Sequence, residues 1–392
     1  MKQHNATQNS HRISRRQFIK LAAASSLLAG CSPVAQTVSA PTSTPTNPPV
    51  ATDTPVPVAT DTPAPTATTP PTPSPTSTPT SAPVAVSAAT GPPDVIKFFP
   101  DRPSQVVQTH HAGVWQGDQL SAEALRQMLD ASITRLTGLN DAREAWAALF
   151  KPTEKIAIKI NAFENSTIWT HAPLTYAVVA SLQEAGIPAE QIFIYDSLNM
   201  FKEAGYQVNK DGPGVRCIDE YDFTGEWQVA NSTVRLSSTL QSCDALINMP
   251  VLKSHMISGL TFAMKNHFGT VASPSSLHYP IEQAIAELNT LPPIKERTRL
   301  FIGDVLEANL RYSNSWPYWG PDWRGDSILM SFDPVAHDTV GMQILERLQT
   351  ESQATLSPAL REKATAYLKT ATELGLGTND LQQMEVTEVQ LG

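Results

Sequence analysis

The stretch "NMPVLKSHMISGLTFAMKNHFGT", residues 248–270, places Lys253, His255, Lys265 and His267 within fifteen positions of mostly apolar chain. Asn266 lies between the last two. Two lysines supply point positive charge, and an asparagine adds an adaptable donor and acceptor. A histidine whose ordinary pKa lies near neutrality is the natural proton carrier. Together they suit an anionic ligand: a carboxylate, a phosphate or an enolate-like intermediate. We therefore take Lys253, His255 and Lys265 as candidate catalytic residues. His267 is left open, because on a helix it can point away from Asn266.

A second cluster lies in "IKINAFENSTIWTHAPLTYAVV", residues 158–179. Lys159 sits inside an expected strand, where a buried amine needs a partner. Asn161 and His171 flank a loop that leads to a helix starting near Pro173, and helix N-termini favour anions. Lys159, Asn161, His171 and Asn266 are the candidate ligand-binding residues. Asn161 serves equally well as a turn residue, and His171 as a helix-entry residue. Asp196, His278 and Asp304 are metal-ligand types that leave room for a divalent cation, although no local metal motif joins them. Asp333 reads as a helix N-cap, and Asp338 is open between an inward and an outward orientation. The aromatic segment 309–326, with Trp316, Trp319 and Trp323, reads either as a ligand lid or as filling beneath a long loop.

These residues need a scaffold, and the apolar runs provide it. "KIAIKI" (155–160), "IFIYD" (192–196), "ALINM" (245–249), "RLFIGD" (299–304) and "ILMSF" (328–332) read as buried strands. Helical patterns at 173–186, 280–291 and 333–348 alternate with them. Asp333 followed by Pro334 forms a good N-cap and first-turn pair. The expected fold is α/β, a mostly parallel doubly wound sheet flanked by helices. Most of these runs are apolar throughout rather than alternating, as in strands covered on both faces. Asn161, Asp196, Lys253 with His255, and Asp304 follow or close successive strands, and ligands of open α/β sheets bind beyond the strands' carboxyl ends. The quoted stretch itself is expected to be a strand, a turn at Pro250, a loop and a short helix.

The N-terminal third has a different character. Residues 1–31 run from the basic "SRRQFIK" through a short apolar segment to Cys31. Arg15 and Arg16 resemble a twin-arginine export signal, and "LAGC" resembles a lipobox whose cysteine is acylated. The apolar run has about 10 residues, against the roughly 20 that span a bilayer. These motifs imply the twin-arginine export machinery as a partner, and a lipid anchor at Cys31 on the extracytoplasmic face of a bacterial membrane. Residues 32–92 hold 16 of the 32 prolines and repeat "VATDTP" at Val50 and Val58. Such a segment buries no core. It reads as a disordered stalk able to reach about 190 Å, to cross a cell wall or simply to act as a spacer.

Residues 93–392 form the expected folded unit, one large domain or two closely joined halves. Removing the five basic residues of the leader and the two aspartates of the stalk from totals of 28 and 37 leaves 23 basic and 35 acidic side chains. This acidic balance argues against nucleic acid as a partner and makes a local cationic cluster conspicuous. Besides Cys31 only Cys217 and Cys243 occur. That number is too small for a four-cysteine iron–sulfur cluster or an all-thiolate zinc site. Whether the two pair is open.

Residues 104–348 resemble the bacterial and archaeal family called domain of unknown function 362. The resemblance rests on "IKIN" (158–161), "THAP" (170–173), "INMPVLKSH" (247–255), "MKNHFG" (264–269) and "DPVAHD" (333–338). Members commonly carry a lysine–proline–asparagine run where this chain has Lys159, Ile160 and Asn161. Some members add a ferredoxin module that this sequence does not show. "INMPVLKSHMISGLTFAMK" also resembles the proton-transfer region of lactate racemase-like proteins, which implies acid–base chemistry beside a carboxylate. Three functions remain open: an anion-directed acid–base enzyme, a capture module for a small anion or wall polymer, and a redox protein with a non-covalent cofactor.

Overall fold

The computed structural model describes residues 103–392, except 198–199, 314–315 and 355–357. Arg15, Arg16, Cys31 and the stalk lie outside the described residues. Among those described, no helix is long and apolar enough to cross a membrane.

The sheet has ten strands: β1 (Ser104–His111), β2 (Ile156–Lys159), β3 (Ile192–Asp196), β4 (Arg216–Asp219), β5 (Ala245–Asn248), β6 (Val251–His255), β7 (Gly259–Thr261), β8 (Thr298–Asn309), β9 (Trp323–Ser331) and β10 (Met384–Leu391). Its order is β10-β1-β9-β8-β5-β2-β3-β4, with β6 beside β8 and β7 beside β6. The neighbours β2–β3, β3–β4, β2–β5, β5–β8, β6–β8 and β1–β10 are parallel. Only β9 against its two neighbours and the short β6–β7 pair are antiparallel. The sheet is mostly parallel, as the apolar runs implied. The strands 104–111, 216–219 and 384–391 were not among those expected.

Alternate residues of each central strand enter different cores. Ile156, Ile158, Ile192, Ile194, Ala245, Ile247, Ile328 and Met330 pack on one face. There they meet α1 (Ala122–Thr137), α2 (Ala142–Leu149) and α3 (Ala172–Glu184). Ala157, Tyr195, Leu246 and Leu329 pack on the other face. That side is covered by α5 (Ile281–Thr290), α6 (Pro334–Glu351) and α7 (Pro358–Glu373), with the short α4 (Ala263–Asn266) nearby. Coverage on both sides explains why the strands lack a polar alternation. Cys217 and Cys243 belong to opposite cores and are free thiols, so the open question of their pairing is answered by the sheet between them. Burial pushes these thiols up, to about 12 and about 11.

One topological detail creates the site. β8 is twelve residues long, and β5 then β6 run in succession beside it. Between them Pro250 has no N–H to give the ladder, while its carbonyl accepts from Asp304 N at 2.8 Å. β6 therefore continues past the carboxyl ends of β2 and β3. The sequence reading put Lys253 and His255 on a loop; they lie on this strand. It also put Asp304 at a strand end, whereas β8 runs on through Asn309 and Asp304 is interior to it.

Candidate functional site

A cavity of about 280 Å³ opens at this edge, lined by Asn161, Asp196, Lys253, His255, Lys265 and Asn266, with His278 and Trp319 beside them. Asn161 follows β2, Asp196 ends β3, Lys253 and His255 belong to β6, and Lys265 and Asn266 to α4. Four chain segments thus meet at one sheet edge, as expected for an open α/β sheet.

Among the described residues, no carboxylate is bound to either cavity lysine. Lys253 Nζ donates to Asn161 Oδ1 at 2.7 Å and to Ser166 Oγ at 3.2 Å. Lys265 Nζ makes no hydrogen bond or ion pair among the described residues, and it rests 4.4 Å from the centre of the Phe268 ring. Burial disfavours the charged forms and pushes both lysines down to about 7; at Lys253 the attraction of Asp196 opposes this and repulsion from Lys265 and Lys159 adds to it. Asp196 is different. It pairs with Lys159 at 2.7 Å and accepts from the N–H groups of Ala162 and Ser197. Lys159 is fully buried and finds in Asp196 the partner its position demands. Burial nonetheless pushes that lysine down and that carboxyl up, against their mutual attraction.

Side-chain amides connect the segments. Asn161 Nδ2 donates to Asn266 Oδ1 at 3.2 Å, and Asn266 Nδ2 to Asn248 Oδ1 at 2.8 Å. Asn248 Nδ2 donates to Ala263 O at 2.8 Å and to His267 Nε2 at 3.0 Å. His267 is accordingly a buried end of this chain, away from the cavity, and burial pushes it down to about 3. Asn248 and Ser166 were not singled out from sequence, although Asn248 opens the quoted stretch.

The histidines have definite tautomers in their neutral forms. His255 Nδ1 accepts from the N–H groups of Ile257 and Ser258, at 3.1 and 3.2 Å. Its proton therefore sits on Nε2. Burial, then Lys265, His278 and Lys253, hold its pKa well below the ordinary histidine value. His278 has the opposite arrangement: Nδ1–H donates to Pro274 O at 3.1 Å, which leaves Nε2 as the basic nitrogen. Burial and Lys265 push it down as well. The two rings lie 6.2 Å apart. Trp319 stacks on His255 at 5.4 Å and 22°, and its Nε1 donates to Ser254 O. Trp319 thus covers the cavity from the aromatic segment, whereas Trp316 is exposed.

Three sequence candidates fall elsewhere: Lys159, buried behind Asp196, together with His171 and Asp304. His171 does not line the cavity. Its Nδ1 pairs with Asp304 at 2.8 Å and its Nε2 lies 3.5 Å from Glu307. Burial opposes its charge, but Asp304 and then Glu307 outweigh it and raise the group to about 10. Asp304, interior to β8, also accepts from His171 N and is absent from the cavity wall. Asp196 and His278 line the cavity while Asp304 does not, and no group of three or more metal-ligand side chains forms among the described residues.

Asp338 points inward. It accepts from the N–H groups of Ala263 and Met264, at 2.7 and 3.0 Å, and so caps α4 from α6. Asp333 is the N-cap of α6, accepting from Val335 N and Ala336 N. Gly269 is needed for close approach: a methyl there would overlap Asp196 Oδ1 and lie 2.6 Å from Lys159 Nζ.

Fold and site together define a mostly parallel α/β domain with a lysine-lined cavity at its carboxyl edge. Residues 156–343 match the family model "Domain of unknown function (DUF362)", so the centre of the domain carries that family's pattern. No curated protein matches the sequence. Similar solved structures include two at low identity. One is a Thermotoga maritima protein, at 11% identity and TM-score 0.36 over 60% of each chain. The other is the lactate racemase apoprotein of Thermoanaerobacterium thermosaccharolyticum, at 8% identity and TM-score 0.36, over 63% of this chain and 58% of that one. The chain therefore spans about 60% of the length of each.

Proposed function

We propose that the cavity binds a small organic anion through its carboxylate and moves a proton on it. The observation that carries this reading is the convergence of Lys253 and Lys265 with no acid bound to either among the described residues, while Asp196 at the wall pairs with Lys159 and Glu164 is exposed. An anion supplies the charge that the pocket lacks, in surroundings where water screens little.

Each side chain has a role consistent with its hydrogen bonds. Lys253, oriented by Asn161 and Ser166, holds the carboxylate. Asn161 and Asn266 set the spacing of the lysines more than they contact the ligand, because each amide already bonds another. His255, with Nδ1 occupied by two N–H donors, offers a neutral Nε2–H. The proton-carrier role that its residue type suggests passes to His278 Nε2 and to the lysines, whose pKa of about 7 suits proton transfer at neutral pH.

The test is calorimetric binding of lactate, pyruvate and inorganic phosphate, followed by NMR of carbon-bound hydrogen exchange in deuterium oxide. Binding of a carboxylate with exchange that H278Q abolishes supports the reading. Binding without exchange reduces the cavity to a capture site, and no binding by any of the three removes the anion site.

The same reading places the domain outside the cytoplasm, tethered by acylated Cys31 after twin-arginine export. Its support is the order of Arg15, Arg16 and "LAGC" in the sequence. Fractionation of cells expressing C31A tests it: the variant should leave the membrane fraction.

A further inference from the structure

We propose that Lys265 is a carbonyl-directed nucleophile, whose amine condenses with a 2-oxo acid held by Lys253 to form an iminium inside the cavity. This inference rests on the anion-site reading above and names the ligand class that would use both lysines differently.

The two lysines share a cavity but not an environment. Lys253 Nζ is held by two oxygen acceptors, Asn161 Oδ1 and Ser166 Oγ, which favour and orient an ammonium. Lys265 Nζ has no such acceptor among the described residues and faces the Phe268 ring. An amine serves as a nucleophile only when its lone pair is free, and desolvation beside another cation is the usual way to free it. Burial brings both lysines to about 7, so each is partly unprotonated near neutral pH, and it is the lack of an acceptor that sets Lys265 apart as the free amine. Its backbone is well fixed, because Asp338 holds the N–H groups of Ala263 and Met264 at the start of α4. Asn266 ties the other end of α4 to Asn161 and Asn248.

The remaining groups suit the same reaction. A ligand with a carboxylate next to a carbonyl presents one group to an oriented ammonium and the other to a nucleophile. The cavity volume of about 280 Å³ limits the ligand to a small one. His255 Nε2–H is a neutral donor able to polarise the carbonyl oxygen, and His278 Nε2 can accept a proton as the amine adds.

The step balances without a further reagent. The Nζ lone pair forms a bond to the carbonyl carbon, and the C=O π pair moves to oxygen, which takes a proton to give a carbinolamine. A second proton on that hydroxyl lets it leave as water, and the nitrogen lone pair forms the C=N bond. Counted from the ammonium, one lysine and one ketone give one iminium and one water.

The experiment incubates the full-length protein with pyruvate or glyoxylate and sodium cyanoborohydride, which reduces an iminium to a stable secondary amine. The expected result is one adduct per chain by intact mass, placed on Lys265 by peptide mapping of the wild-type protein and lost in K265R. A thermal melt by circular dichroism checks that the variant is folded, and the mapping stands without it. Absence of an adduct, or adducts spread over exposed lysines, overturns the proposal. Lactate, which lacks the carbonyl, separates the two readings. Lactate binding with no pyruvate adduct sinks the imine alone, whereas no binding of either acid sinks the anion site with it.

Discussion

Lys253 Nζ lies 2.7 Å from Asn161 Oδ1, a contact between residues 92 positions apart that joins the middle of β6 to the segment just after β2. The amide carries no charge, so it orients the ammonium without neutralising it. Below its pKa of about 7, Lys253 therefore meets a ligand as an oriented cation.

Lys253→Met should lower affinity for a bound carboxylate about 10- to 100-fold, the range expected for one charge-assisted hydrogen bond of roughly 1.5–3 kcal/mol. The melting temperature should stay level or rise at pH 6, because the variant removes a buried cation. Calorimetry and a thermal melt check both parts. Unchanged affinity would remove Lys253 from the site.

Anion binding should take up protons. Both lysines are pushed to about 7 in the empty cavity, and a carboxylate beside them restores their ordinary preference for the charged form. At pH 8 the lysines begin mostly neutral, so a measurable uptake of up to about two protons should accompany each ligand, and affinity should fall as pH rises above about 7. Titrations in buffers of different ionisation enthalpy measure the uptake. Zero uptake at pH 8 contradicts the lysine assignment.

His171 should matter for stability instead of binding. Its folded pKa of about 10 exceeds the ordinary 6.5, so the folded state holds a proton that the unfolded state releases between those values. The stabilisation is fully present below about pH 6.5 and lost as pH rises through about 10. H171N should cost roughly 3 kcal/mol at pH 6, as breaking a buried pair does. The gap to wild type should narrow towards pH 10. The buried lysines run the opposite way, destabilising most below about pH 7, so only the difference between the two proteins is diagnostic.

Gly269→Ala places a methyl against the Lys159–Asp196 pair. Overpacking of this kind costs roughly 1–3 kcal/mol. Because Gly269 and Asp196 both line the cavity, ligand affinity should fall along with the melting temperature. Wild-type melting and binding would show that this wall is looser than the contacts imply.

D338N keeps the shape of the side chain but removes the charge that caps α4. Since α4 carries Lys265 and Asn266, anion affinity should drop while α6, capped independently by Asp333, is retained. Affinity and far-ultraviolet circular dichroism measured together check this: a loss of helix with the loss of binding would mean a general packing role.

Local pattern alone determined the alternation of strands and helices, because a strand buried on both faces must be mostly apolar, and β2, β3 and β5 are apolar up to their last residues, Lys159, Asp196 and Asn248. It also determined which residue types could do chemistry between 248 and 270, and that Asp333 would cap a helix, since a cap bonds within its own first turn. The tertiary structure decided what each group does. His171 and Asp304 became a buried pair because β8 continues past Asp304, a length that the sequence pattern did not reveal. Lys159 was claimed by Asp196 because β2 and β3 are neighbours. His255 became a neutral donor through backbone N–H groups two and three residues away, and Lys265 was left without an acceptor. Charge state and partner depend on distances across segments that lie tens of residues apart in the chain, and such distances exist only after the sheet has formed.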